Sequence, residues 1–262
     1  MPASDPFPVV NVAAEEIQLS AAYQFENASR EGRTALVIQR TQSGAAWFRD
    51  PAGRRLVPPG HAMLFTHDEP TAYGYPPESA EPYRLRFVSF SPTGTRPLFD
   101  RLRADFGPIV RMPDAAEATA LLDEIIQRYR QRQFRDRLHE AELLYRLLIT
   151  LYREQVQGTR TSDPIEFGHH YVRNHFRSPV NLKGIAQKCG ISREHFIREF
   201  SARYAEPPGA MLRRLRLEHA RAMLAGTNLS IGDVALASGF TSSNTFCRAY
   251  RGKFGRSPGT SR

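Results

Sequence analysis

The chain has 262 residues, a formal net charge of +9 and a sequence pI of about 9.9. That length suits two ordinary domains, each able to bury its own core. Two cysteines, Cys189 and Cys247, exclude a disulfide framework and a cysteine-rich zinc module, and no run approaches the ~20 apolar residues of a membrane span. The opening Met1-Pro2-Ala3-Ser4-Asp5-Pro6 has no basic segment followed by an apolar one, so a soluble, cytoplasmic protein with no membrane partner is expected.

Charge is uneven along the chain. Residues 164–262 carry 16 Lys and Arg against 6 Asp and Glu, a balance of +10, whereas residues 1–163 carry 20 against 21. All three lysines, Lys183, Lys188 and Lys253, lie in the basic part. A basic module joined to a nearly neutral one points to a polyanion partner for the first only.

Residues 1–112 contain short aliphatic and aromatic runs around Phe25 and at 35–38, 45–48, 55–57, 62–65 and 84–90, separated by turn signals such as Asp50-Pro51-Ala52-Gly53 and Pro58-Pro59-Gly60. The spacing predicts an all-β sandwich or small barrel, followed by a short helix over 96–106. A small barrel often encloses one ligand, so Trp47, His61, His67, Tyr73, Tyr75 and Arg86 are candidates for contacting a small-molecule effector. The competing reading makes them ordinary core or surface residues. His61, His67 and Glu69 lack the spacing of a metal site, and neither metal nor cofactor is expected.

Residues 113–157 carry apolar positions at three- and four-residue steps, from Ala118 to Tyr129 and from Leu138 to Tyr152, which predict two amphipathic helices. Leu143, Leu147 and Ile149 widen the second apolar face beyond one stripe. A homodimer through this helix and simple packing on the β domain are both open. Residues 158–164, short, polar and closed by Pro164, read as an interdomain linker.

Residues 165–262 repeat themselves. Ile185-Ala186 and Gly190 recur as Val234-Ala235 and Gly239 at an offset of 49. After the glycines the offset becomes 50: Ser192, Phe196, Arg198, Phe200, Tyr204 and Pro208 match Ser242, Phe246, Arg248, Tyr250, Phe254 and Pro258. One supersecondary unit is used twice. In each, a short helix capped by Asn181 or Ser230 leads through a glycine turn to a second helix, which in the first unit is capped by Ser192, the pattern of a helix-turn-helix. Between them the pattern predicts a helix over 208–224, with Leu212, Leu215, His219 and Met223 on one face. At ~1.5 Å per residue this rod is long enough to set two recognition helices about one duplex turn apart.

This repeat, above all the stretch from Ile231 to Tyr250, resembles the DNA-binding domain of AraC/XylS-family transcriptional regulators. The resemblance covers nearly all of the last hundred residues. It implies two helix-turn-helix modules in successive major grooves of double-stranded DNA, an α+β chain with an N-terminal cupin-like β-barrel that senses a small molecule, dimerisation through the preceding helices, and contact with RNA polymerase, more often as an activator. The resemblance places Arg193, Glu194, Ile197 and Arg198 in the first module, and Ser243, Asn244, Cys247 and Arg248 in the second, where the family reads base edges or phosphates. Three positions depart from the family pattern: Ala205 stands for the usual glycine after the first recognition helix, Met211 for a tyrosine, and the chain ends without the usual aromatic. Charged Arg193 and Glu194 face small polar Ser243 and Asn244 in the second module, so the first is expected to contribute more to specificity.

Two other classes, an enzyme and an architectural DNA binder, make different demands on the sequence. A DNA-repair methyltransferase needs a reactive cysteine in the N-terminal part, which has none, and a metal cupin oxygenase needs a histidine cluster absent there. No enzyme is expected. An architectural DNA binder would bind without sequence preference.

Overall fold

Strand β3, Leu36–Ser43, is buried on both faces, and this dictates the layering around it. In the computed structural model, which describes residues 6–30, 34–79 and 81–261, Leu36 and Ile38 enter one core while Val37 enters another. Strand β6, His61–Thr66, divides likewise, with Ala62 and Leu64 in the first core and Met63 and Phe65 in the second. Side chains alternate across a strand, so a sheet covered on both faces reads as a continuous apolar run.

The chain divides into two units, residues 1–155 and 156–262. In the first unit β3 and β6 belong to a five-stranded antiparallel sheet with β1 (Val10–Gln18), β8 (Tyr83–Phe90) and β9 (Ile109–Arg111), in the order β1-β8-β3-β6-β9. A four-stranded sheet, β2-β7-β4-β5, is built from β2 (Gln24–Glu26), β4 (Ala46–Asp50), β5 (Gly53–Val57) and β7 (Ala72–Gly74). The second core, with Phe48, Phe65, Tyr73 and Tyr83, lies between these sheets. A cupin-like closed barrel was expected; among the described residues strand pairing stays within each sheet, so the unit is an open two-sheet sandwich. Strands β1, β7 and β9 escaped the sequence reading. Only Val10 and Ala13 of the first are buried, and the other two are three residues long.

Helices α1 (Arg96–Phe106), α2 (Glu117–Gln131) and α3 (Arg137–Ser162) follow, and the first core holds residues of all three together with the five-stranded sheet. Leu143, Leu144, Leu147, Leu148 and Leu151 of α3 are all in that core, so the extra apolar width is covered within the unit; Leu138 and Ile149 remain exposed. Residues 158–162, read as linker, are the last turns of α3, and Asp163 caps the next helix. Met1–Asp5, on which the expectation about the start of the chain rests, and Arg262 at its end lie outside the described residues.

The second unit contains α4 (Pro164–His175), α5 (Leu182–Lys188), α6 (Arg193–Tyr204), α7 (Pro208–Gly226), α8 (Ile231–Ala237) and α9 (Ser243–Phe254), closed by a 3-10 turn at Pro258–Ser261. The 19 residues of α7 span about 28 Å. Its buried residues are Pro208, Met211, Leu212, Leu217, Ala220 and Leu224, whereas Leu215, His219 and Met223, expected on one face with Leu212, are half-buried. That stripe is only part of the packed surface, because α7 packs against both modules and needs apolar residues on more than one side.

Ala205 ends α6 in the left-handed region, at φ +53. A Cβ is disfavoured there, so Ala205→Gly is expected to stabilise the second unit by about 0.5–1 kcal/mol, seen as a raised midpoint in denaturant. An unchanged or lowered midpoint counts against strain at this cap.

Candidate nucleic-acid interface

Each recognition helix is started by a serine and held from below by two aromatic rings. Ser192 Oγ accepts from the His195 amide (3.2 Å) and Ser242 Oγ from the Thr245 amide (3.3 Å). These bonds satisfy amides that the helix itself leaves open. Phe196 and Phe200 in α6, and Phe246 and Tyr250 in α9, are fully buried, with ring centroids 5.4 Å and 5.5 Å apart within each pair. Four-residue spacing puts each pair on one face and turns the others outward. The burial pattern from Ser192 to Phe200 is the same, residue by residue, as that from Ser242 to Tyr250.

The first helices of the modules are capped as the sequence implied. Asn181 Oδ1 accepts from the Gly184 amide at 2.9 Å. Ser230 and Asp233 pair reciprocally, with the Asp233 amide donating to Ser230 Oγ (3.1 Å) and that hydroxyl donating to the Asp233 carboxylate (2.6 Å). Ala186 and Ala235 are buried under the crossing second helices. The two turn glycines differ. Gly190, at φ +71, is exposed and has open space around its Cβ position, whereas Gly239, at φ +84, is buried against the Phe176 and Arg177 carbonyls.

Arg193, Glu194 and Arg198 are exposed on α6 and Ile197 is half-buried; Ser243, Asn244 and Arg248 are exposed on α9 and Cys247 is half-buried. Each set lies on the outer side of its helix, opposite the buried rings. Arg198 is already engaged, donating to Glu199 Oε1 (2.9 Å) and lying 2.9 Å from His195 Nδ1. At the corresponding places around Arg248 stand Ala249 and Thr245, which carry no charge. Sequence reading passed over Lys183 and Gln187, which share a concave surface with Arg193 and Glu194. The confinement of lysine to the basic half was the available signal. Cys189 is buried, which pushes its thiol up to about 11.

In the first unit the effector candidates separate. His67 and Tyr73 line one cavity of about 240 Å³, together with Tyr23, Phe25, Arg30 and Gln39. Arg30 lies over the Phe25 ring (4.6 Å), donates to the Tyr73 hydroxyl (3.2 Å) and sits 2.7 Å from His67 Nε2. Gln39 donates to the Tyr83 and Tyr23 hydroxyls at 3.0 and 3.3 Å. Burial raises the pKa of Tyr23, Tyr73 and Tyr83, which keeps these hydroxyls neutral. The other four candidates are held elsewhere: Trp47 donates to the Tyr75 carbonyl (3.0 Å), Tyr75 to those of Ser79 and Glu81, His61 contacts the Pro59 carbonyl, and Arg86 pairs with Asp123 (2.9 Å) and Glu15 (3.3 Å). Arg30 and Gln39 carried no signal in the sequence, because only strand pairing brings them to the same cavity.

Paired, capped helix-turn-helix modules in one unit, and a β sandwich with a polar, aromatic-lined cavity in the other, define the class of two-domain regulators. Residues 18–148 match the AraC-like ligand binding domain and residues 185–262 a helix-turn-helix domain; the first match alone covers half of the chain. The chain belongs to the AraC/XylS family of transcriptional regulators. It is similar to the uncharacterized HTH-type transcriptional regulator YijO of Escherichia coli K12, 32% identical over 128 residues, 49% of this chain and 45% of that one. It is also similar to the HTH-type transcriptional activator RhaS of Escherichia coli O139:H28, 28% identical over 120 residues, 45% of this chain and 43% of that one. A solved regulator with an AraC-type DNA-binding domain, from Chromobacterium violaceum, is 28% identical over 39% of this chain and 91% of its own, with a TM-score of 0.35. The chain thus spans less than half the length of the two curated relatives it matches here.

Proposed function

We propose that the chain binds a specific operator in double-stranded DNA, with α6 and α9 in successive major grooves, and that a small molecule in the Arg30–Tyr73 cavity changes this binding or its consequence for transcription. The observation that carries the reading is the repeated outer surface of the second unit: the same exposed positions recur at an offset of 50 residues on two capped helices, in a segment with a balance of +10. Arginine can donate to guanine O6 and N7, Asn244 suits adenine, and Glu194 can accept from cytosine N4. Activation, contact with RNA polymerase, a homodimer and a cytoplasmic location complete the proposal by family resemblance, and the name of RhaS supports the sign. No helix among the described residues is long and apolar enough to cross a membrane.

Selection of bound sequences from random duplex with the full chain tests this. Two conserved blocks about one helical turn apart are expected, over a background that weakens steeply with salt. Uniform recovery without enrichment would make the chain an architectural binder. Small molecules are then screened for a change in affinity at the selected site; Arg30→Gln should abolish the response and leave effector-free binding unchanged.

A further inference from the structure

We propose that Glu166, His169 and His170 form a binding site for a divalent first-row transition ion of the zinc type, on α4 where it meets α6. Positions i, i+3 and i+4 share one face of a helix. One potential ligand atom from each residue lies within 4.8 Å of the others, and this is the one such group of three His, Cys, Asp or Glu among the described residues. His61, His67 and Glu69, which lack metal-site spacing in the sequence, lie in the other unit.

Geometry is nearest to closure between Glu166 Oε1 and His170 Nε2, which are 3.0 Å apart. Zinc sits about 2.0–2.2 Å from such atoms, so neighbouring ligands in a tetrahedral shell stand about 3.4 Å apart. Ligand atoms within 4.8 Å of one another are close to that spacing, and small side-chain movements bring them to it. The His169 ring is stacked on Tyr204, with centroids 4.2 Å apart and planes 15° from parallel, an arrangement that allows in-plane sliding. His170 is buried while Glu166 and His169 are half-buried, which leaves an approach for an ion and a fourth position for water.

The surroundings orient the carboxylate. Glu166 Oε2 accepts from the Tyr204 hydroxyl (2.6 Å) and pairs with Arg203 (2.9 Å), so Oε1 is the oxygen turned to the imidazoles. Ligating carboxylates characteristically have such outer partners. Arg203 also opposes a cation, but it is shared with Asp163 at 2.5 Å, and the two carboxylates with one guanidinium leave a net negative charge. Two imidazoles and a carboxylate suit zinc, nickel or copper rather than calcium or magnesium. Because Tyr204 closes α6, an ion here would fix the end of the first recognition helix to α4.

The competing reading is a hydrogen-bonded clamp that binds no metal, and titration separates the two. Full-length protein stripped with a chelator is titrated with Zn²⁺ by calorimetry and with Co²⁺ by visible absorption. One equivalent with the ligand-field bands of a tetrahedral site is expected. Glu166→Gln and His169→Gln should each weaken that step by more than about tenfold, while His61→Gln and His175→Gln leave it unchanged. Absence of a step in the wild-type protein, which needs no variant to fold, overturns the proposal; so does a step that survives both ligand substitutions.

Discussion

Gly239→Ala should destabilise the second unit by about 2–5 kcal/mol, several times the loss from Gly190→Ala. Both glycines occupy the left-handed region and make the same turn in their modules. At Gly190 a methyl group meets open space, so the cost is conformational only, about 1 kcal/mol. At Gly239 a Cβ would stand 2.6 Å from the Phe176 carbonyl oxygen, 2.9 Å from that of Arg177 and 2.9 Å from Arg216 Nε. That guanidinium already donates to the Phe176 (2.6 Å) and Ser178 (2.9 Å) carbonyls, stapling α7 to the segment after α4. A methyl group has to part this staple. Far-UV circular dichroism in denaturant reads the difference, and equal losses at the two glycines would show that the turn conformation alone matters.

Arg248→Ala should weaken operator binding by about ten- to hundredfold, the range of one good base contact. Arg198→Ala should cost less, although the residues match in the repeat. Arg198 has first to leave Glu199 and His195, and an exposed pair of this kind is worth at most about 1 kcal/mol. Glu199→Ala removes that competitor and one negative charge from α6, so it should tighten binding several-fold. Competition against random duplex decides the kind of contact, since equal loss on both DNAs would reassign either arginine to phosphate. A larger loss at Arg198 than at Arg248, with no gain from Glu199→Ala, would restore the expectation that the first module dominates.

Legibility followed the range of the interactions concerned. The caps at Asn181, Ser192 and Ser230, and the buried pairs Phe196–Phe200 and Phe246–Tyr250, were all readable, because cap and helix face depend on residues at most four apart. Helix α1 was readable for the same reason. The α7 stripe showed only part of what that helix buries, because a helix packed on two sides has no single apolar face. Whether the strands close into a barrel or stay an open sandwich was not readable, because sequence shows strands but not their partners.

By itself the sequence determined that one helix-turn-helix unit is used twice in a basic module, since caps, helix faces and charge can be read along the chain without knowing the fold, and the resemblance of the stretch from Ile231 to Tyr250 implied the family. Only the tertiary structure decided that Gly239 is enclosed and Gly190 free, that Arg30 and Gln39 meet Tyr73 and Tyr23 at one cavity, and that Arg203 and Tyr204 of α6 reach Glu166 of α4. Each of these joins residues distant in the chain, and their meeting depends on strand pairing and helix crossing, which local patterns do not encode.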